Sequence, residues 1–253
     1  MAAIDINCDL GEGFGIYRAA PEEDIFPLIT SANIACGFHA GDAHTMRKAV
    51  ELCVRHGVAL GAHPGTPDLQ GFGRRPLEMT AREIEDCVLY QIGALESFAR
   101  AAGTRIRHVK PHGWIYNEAA ANWEMAVAVG RAVRASSADL ILFGLSGSRS
   151  IDAARQLGLA CAREAFIDRS YEPDGSLTPR KVPGALILDP AQAAKQAVGL
   201  AVSGRVQCRG GSLLEIAVDT LCVHGDNPAV LDILALVRQR LTEKGVDLRA
   251  VSG

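Results

Sequence analysis

Several things that this sequence does not contain narrow what it can be. Its seven cysteines include no C-x-x-C pair and sit at scattered positions, which argues against a disulfide framework or a zinc knuckle and for reduced thiols, with Cys8, Cys36 and Cys222 packed in strand-like runs. There is no sustained Lys/Arg run and the net charge is -3, so the basic footprint of a nucleic-acid binder is missing and no nucleic-acid partner is expected. No uncharged apolar run reaches the roughly 18 residues of a membrane span, and acid appears at Asp5 and Asp9 without a basic and apolar leader before it. The expectation is a cytoplasmic protein with no membrane partner. The phosphate-cradling pattern G-x-x-x-x-G-K-[ST] is absent. Gly11 to Gly15 read G-x-G-x-G with no helical pattern after them, which is not a dinucleotide fingerprint.

What is present is a globular composition, 48% hydrophobic and 22% charged over 253 residues, and the expectation is one domain spanning 1–253. The stretch Asn33 to Asp42 sets the pattern for the rest. A small apolar run, Ile34, Ala35 and Cys36, stops at Gly37, and His39 and Asp42 follow at once. Met46, Ala49, Val50 and Cys53 then recur at helical spacing to His56, with Asp42 placed as N-cap. This is a buried strand, a polar turn and a helix, although His39 taken alone reads more readily as a capping or hydrogen-bonded loop residue than as a functional one.

The pattern recurs. Ile4 to Leu10 alternates, which puts the polar Asp5, Asn7 and Asp9 on one face, and Glu12 follows in a glycine-rich turn. Val58 to Ala62 ends on His63, and 64–76 is a loop stiffened by three prolines that carries Asp68, Arg74 and Arg75, expected as a fixed flap. Thr80 with Glu83 makes a capping box for a helix to Ala102. Ile106 to Val109 runs into Lys110-Pro111-His112, where lysine and histidine point to one side, and one helix is expected from about Glu118 to Ala135. Asp139 to Phe143 ends in Gly144-Leu145-Ser146-Gly147-Ser148, a turn whose amides suit an anion. Ala160 to Phe166 precedes Asp168-Arg169 and a second candidate flap reaching Gly184. Helical spacing returns from Pro190 to Ser203, Arg209 to Ser212 links a hairpin, and Thr220 to Val223 ends in His224-Gly225-Asp226 before a helix to about Lys244.

Four strand ends therefore carry histidine, at 39, 63, 112 and 224, while His44, His56 and His108 fall elsewhere. A parallel barrel gathers its strand ends into one pocket, so the expected fold is α/β, a distorted (β/α)7 TIM-like barrel, with an open doubly wound sheet as the competing topology.

The segments Asn7-Cys8-Asp9-Leu10-Gly11-Glu12, Ser31 to Asp42, Gly61-Ala62-His63-Pro64, Pro67 to Arg75, Lys110-Pro111-His112-Gly113, Asp168-Arg169 with Tyr171, and Cys222 to Asp226 closely resemble the lactam-utilisation (LamB/YcsF) family, the A subunits of bacterial 5-oxoprolinases. The resemblance implies ATP-dependent opening of 5-oxo-L-proline to L-glutamate with partner subunits B and C. It also implies a fold similar to the glycoside hydrolase and deacetylase barrels. The chain departs from the family pattern at Trp114-Ile115, where Ala-Leu is usual.

The roles expected on this basis are as follows. Asp9 and Asp226 are general bases for water, and Lys110 is a point charge for a carboxylate or phosphate. His39, His63 and His112 act as acid/base groups or, with Asp9, hold a divalent metal as in the similar deacetylase barrels. Arg74 and Arg169 are carboxylate grips or loop anchors. Asn7, Glu12, Asn33, Asp168 and His224 complete the substrate-binding set. ATP is expected as co-substrate of the complex. The rival readings are a stand-alone metal-dependent amide hydrolase and a non-catalytic scaffold subunit.

Overall fold

The computed structural model of the protein describes residues 3–252, so the extreme ends of the expected domain, 1, 2 and 253, lie outside the described residues. In chain order the elements are β1 (Ala3–Leu10), α1 (Glu22–Ile25), β2 (Ser31–Ala35), α2 (Ala43–His56), β3 (Ala59–His63), α3 (Ala81–Ala101), β4 (His108–Val109), α4 (Gly113–Ala121), α5 (Trp123–Ser136), β5 (Ile141–Leu145), α6 (Arg149–Gln156), β6 (Cys161–Phe166), α7 (Pro190–Val198), β7 (Arg205–Gln207), β8 (Leu213–Glu215), β9 (Thr220–His224), α8 (Val230–Glu243) and β10 (Asp247–Leu248).

β1 to β6 and β9 pair in parallel and close on themselves, because β1 bonds β2 on one side and β9 on the other while β9 also bonds β6. A doubly wound sheet would leave two free edges, so the seven-stranded barrel is the fold and the open sheet is not. β7 and β8 form the expected antiparallel hairpin. β10, which periodicity did not reveal, adds in parallel beside Ala3 and Ile4.

Alternation along β1 decides what faces where. Ile4, Ile6, Cys8 and Leu10 join the main apolar core with residues of the surrounding helices. Asp5, Asn7 and Asp9 take the other face and enter a polar interior. Asp5 accepts hydrogen bonds from Thr30, Ser31 and Thr220, and Asn7 donates to Glu164 and Thr220. This barrel is filled by hydrogen bonds as well as by methyl groups, consistent with buried polar groups requiring partners.

The caps place the helices as expected at two points. Asp42 accepts from the Thr45 amide, and Thr80 with Glu83 closes a reciprocal capping box. The single helix expected over 118–135 is instead two, α4 and α5, broken at Asn122. The Asn122 side chain accepts from the amides of Glu124 and Met125, so its backbone turns extended to start a new helix rather than continue the old one. Among the described residues no helix is long and apolar enough to cross a membrane.

Candidate active site

Four side chains from four strand ends meet at the C-terminal rim. Glu12 follows β1, His39 follows β2, His63 closes β3 and His112 precedes α4, and one ligand atom from each lies within 4.8 Å of all the others. Glu12 Oε1 is 3.2 Å from His39 Nε2, 3.5 Å from His112 Nδ1 and 4.0 Å from His63 Nε2. His39 and His112 stack face to face with centroids 3.8 Å apart. The flap after β3 makes this contact possible: a Cβ at Gly65 would collide with the His39 ring. Phe72 in the same flap takes φ 53, a strained value for a residue with a side chain, and its carbonyl accepts from His112 Nε2.

The tautomers follow from the outer partners. His63 Nδ1 donates to the Lys110 carbonyl at 2.7 Å and His112 Nε2 donates to the Phe72 carbonyl at 2.8 Å. Their other nitrogens, each bearing a lone pair, then face each other at 2.9 Å. Two acceptors at that separation repel unless a proton or a cation lies between them. Burial, and then the neighbouring imidazoles, hold His39 and His112 well below the usual imidazole range. His39 Nδ1 is buried without a partner among the described residues. Burial, and then the charge of Asp9, push Glu12 up to about 7. Three imidazoles, two of them held by backbone carbonyls, and one carboxylate fit a divalent metal ion.

Beside this cluster lies a set of buried charges. Asp9 Oδ2 is 3.3 Å from His63 Nε2, and Asp9 Oδ1 accepts from Lys110 Nζ and Asn33 Nδ2, both at 2.8 Å. Burial would raise Asp9, but His63 and Lys110 overcome it and hold the carboxyl well below its ordinary range. On the far wall Asp168 takes His224 Nδ1 at 3.0 Å and the His224 amide at 3.1 Å, with Asn227 as a further donor. Burial of Asp168 is outweighed by His224, and its carboxyl stays ionised. Asp9, His63, Lys110, His112 and His224 all line one cavity of about 1060 Å³.

The sequence pattern of the LamB/YcsF family matches residues 4–253. The chain belongs to the LamB/YcsF family. A Methylococcus capsulatus protein named as a 5-oxoprolinase A subunit is 53% identical over 250 residues, covering 99% of this chain and 96% of that one. A Pyrococcus furiosus protein of the same name is 46% identical, covering 96% and 95%. The crystal structure of a lactam utilization protein from Thermus thermophilus is 42% identical and superposes with a TM-score of 0.93, over 98% of this chain and 100% of that one. The catalytic domain of a peptidoglycan N-acetylglucosamine deacetylase from Eubacterium rectale shares the fold alone, with 9% identity and a TM-score of 0.53 over 99% of this chain and 89% of that one.

Within this LamB/YcsF barrel the four strand-end histidines do share one rim, but several expected placements change. Glu12, expected to bind substrate, faces the three histidines and joins them in a group that could hold a metal ion. Asn7 and Asn33, expected to bind substrate, are fully buried and bonded to each other, and Asn33 also donates to Asp9. Lys110 is 2% exposed, with Asp9, Glu164 at 3.1 Å and Cys222 at 2.9 Å around its ammonium. Its ammonium pairs with the protein's own carboxylates, Asp9 and Glu164. Asp226, expected as a general base, is paired with Arg74 at 2.9 Å. Arg74 also stacks on Phe72. Arg169, expected as a carboxylate grip or a loop anchor, donates to the carbonyls of Thr178 and Ala185. The Ser146 to Ser148 turn lies on the same cavity wall, where Ser148 Oγ is buried without a partner.

Three interior residues escaped the sequence reading. His108 donates Nε2–H to Asn33 Oδ1 at 2.7 Å and stacks on Phe143, and burial with the Lys110 charge brings it down to about 3. Glu164 pairs with Lys110, and the Tyr116 hydroxyl is buried beside the cavity without a partner. Register carried the signal for His108: it lies opposite Gly61, and a Cβ on Gly61 would overlap the His108 ring.

Proposed function

We propose that this chain is the A subunit of a 5-oxoprolinase, which opens the lactam of 5-oxo-L-proline to L-glutamate in an ATP-dependent reaction shared with subunits B and C. The whole chain works as one barrel domain, and the cytoplasm, where its seven unpaired thiols stay reduced, is its compartment. One observation carries the reading: an ionised Asp9 and an Asp168-oriented His224 line the same cavity as His63 and His112, two members of the buried Glu12–His39–His63–His112 cluster. The names of relatives nearly half identical or better over their full length supply the substrate.

In this reading Asp9 takes a proton from water as the water oxygen bonds to the lactam carbonyl carbon. The carbon–nitrogen bond then breaks as His224, carrying a proton on both ring nitrogens and held through Nδ1 by Asp168, gives its Nε2 proton to the departing nitrogen and is left neutral. Lys110, with Asn33, positions Asp9 and keeps it charged. A divalent cation at Glu12, His39, His63 and His112 would supply Lewis acidity next to Asp9.

A five-membered lactam is a poor electrophile. Enzymes remove about 8 to 23 kcal/mol from such barriers, and one acid or base supplies roughly 3 to 5 of these. Phosphorylating the carbonyl oxygen by ATP would add a leaving group, and with no P-loop in this chain the nucleotide is held by another arrangement or by a partner. The test is 5-oxoproline turnover with ATP by this chain alone, by B and C alone, and by the mixture. Turnover by the mixture only is expected. Full turnover by B and C without this chain would reject the reading. Turnover by this chain alone without ATP would favour a metal-dependent amide hydrolase, which the four-residue cluster also suits.

A further inference from the structure

The cavity holds an unassigned cationic group, and resting on the function proposed above, it deepens that reading by naming what holds the substrate's carboxylate. Most cationic groups on the cavity wall already have partners. Arg74 is bound to Asp226, Lys110 to Asp9 and Glu164, Arg163 to Asp219 through two bonds, and Arg169 to backbone carbonyls. Arg155, Arg180 and Lys181 make no ion pair or side-chain hydrogen bond among the described residues. Arg155 and Lys181 are exposed, where water satisfies them. Arg180 is half-buried on the wall of the cavity that Asp9, Arg74 and His224 also line.

Its position is built. The Val182 amide donates to the Pro179 carbonyl, so Arg180 occupies the first central position of a tight turn. Arg169 clamps that segment at Thr178 and Ala185, and the Ile187 amide ties its far end to the Asp168 carbonyl. Asp168 thus orients His224 while the next residue fixes the strap that carries Arg180. Burial and the Arg74 charge both press against the charge of Arg180, so an anion arriving there is favoured over leaving the guanidinium without a counter-ion.

We propose that Arg180 binds the α-carboxylate of the lactam substrate and so makes the site specific for cyclic amides bearing an adjacent carboxylate. Its planar fork suits two parallel hydrogen bonds to the two carboxylate oxygens, which a lysine cannot reproduce.

The experiment is steady-state turnover in the complete mixture with R180Q, R180K and R155Q variants of this chain. It reads KM for 5-oxo-L-proline and the inhibition constant of 2-pyrrolidinone, the same ring without the carboxylate. R180Q should raise KM about 10- to 100-fold, the worth of a charge-assisted pair, and leave 2-pyrrolidinone inhibition unchanged. R180K should recover part of the loss and R155Q should behave as wild type. A wild-type KM in R180Q overturns the proposal, as does a parallel weakening of both ligands, which would indicate a damaged cavity. If the wild-type mixture does not turn over 5-oxoproline, the function reading itself fails, and this assignment with it.

Discussion

Asp5 shows what a single buried carboxyl does to this barrel. It is 1% exposed on the interior face of β1, and burial, opposed by bonds from Thr220, Thr30 and Ser31, raises it from 3.8 to about 6. Its proton is therefore held more tightly in the folded than in the unfolded chain, and stability falls as pH rises from about 4 through 6. A rise of that size corresponds to ~3 kcal/mol. Asp5→Asn removes the titration, so urea unfolding at about pH 4 and pH 7 should show the variant gaining ~3 kcal/mol on wild type between the two. A constant difference across that range would contradict the assignment.

At the same scale, legibility in the sequence depended on whether a residue's partners were local. His39, His63, His112 and His224 were readable because each ends a strand, and the polar face of β1 because alternation is local. The use to which Lys110 is put was not readable. Its partner Glu164 lies in Ala160 to Phe166, where one acid in a strand-like run looks like an ordinary solvent-facing residue until the barrel closes. Arg180 was hidden for the same reason: nothing in a Pro-Arg-Lys loop says which side chain lacks a partner.

Among elements, β3 and β4 illustrate fit across strands. Gly61 is opposite His108, and the missing Cβ is the space the imidazole fills on its way to Asn33. Gly61→Ala should destabilise the fold by about 1–3 kcal/mol, the usual cost of overpacking. His108→Ala should then cost less in the G61A background than in wild type, because the clash is gone; denaturant midpoints of the four proteins check this. Equal costs in both backgrounds would mean that the ring and the glycine do not meet. Helix starts were readable from Asp42 and Thr80, whose caps are written in neighbouring residues. The break at Asn122 was not, since apolar spacing continues through it and only the side-chain bonds to Glu124 and Met125 reveal the restart.

For the whole molecule, closure between β1 and β9 is what turns seven strand ends into one rim and brings Glu12 to the three histidines. A cation bound there favours the folded state, by about 2.7 kcal/mol at a hundredfold excess over its dissociation constant. Added zinc should therefore raise the melting temperature of this chain by roughly 5–10 °C, and His63→Ala should lose that response. An identical rise in the variant would place the binding elsewhere.

The central claim is that these converged groups, with Asp9 at their centre, open the substrate. The direct measurement is 5-oxoproline turnover in the complete mixture when this chain carries Asp9→Asn and its circular dichroism matches wild type. The account predicts a fall of about 10² to 10⁴ in rate, the usual contribution of a positioned base. A near-wild-type rate from the folded variant would contradict it.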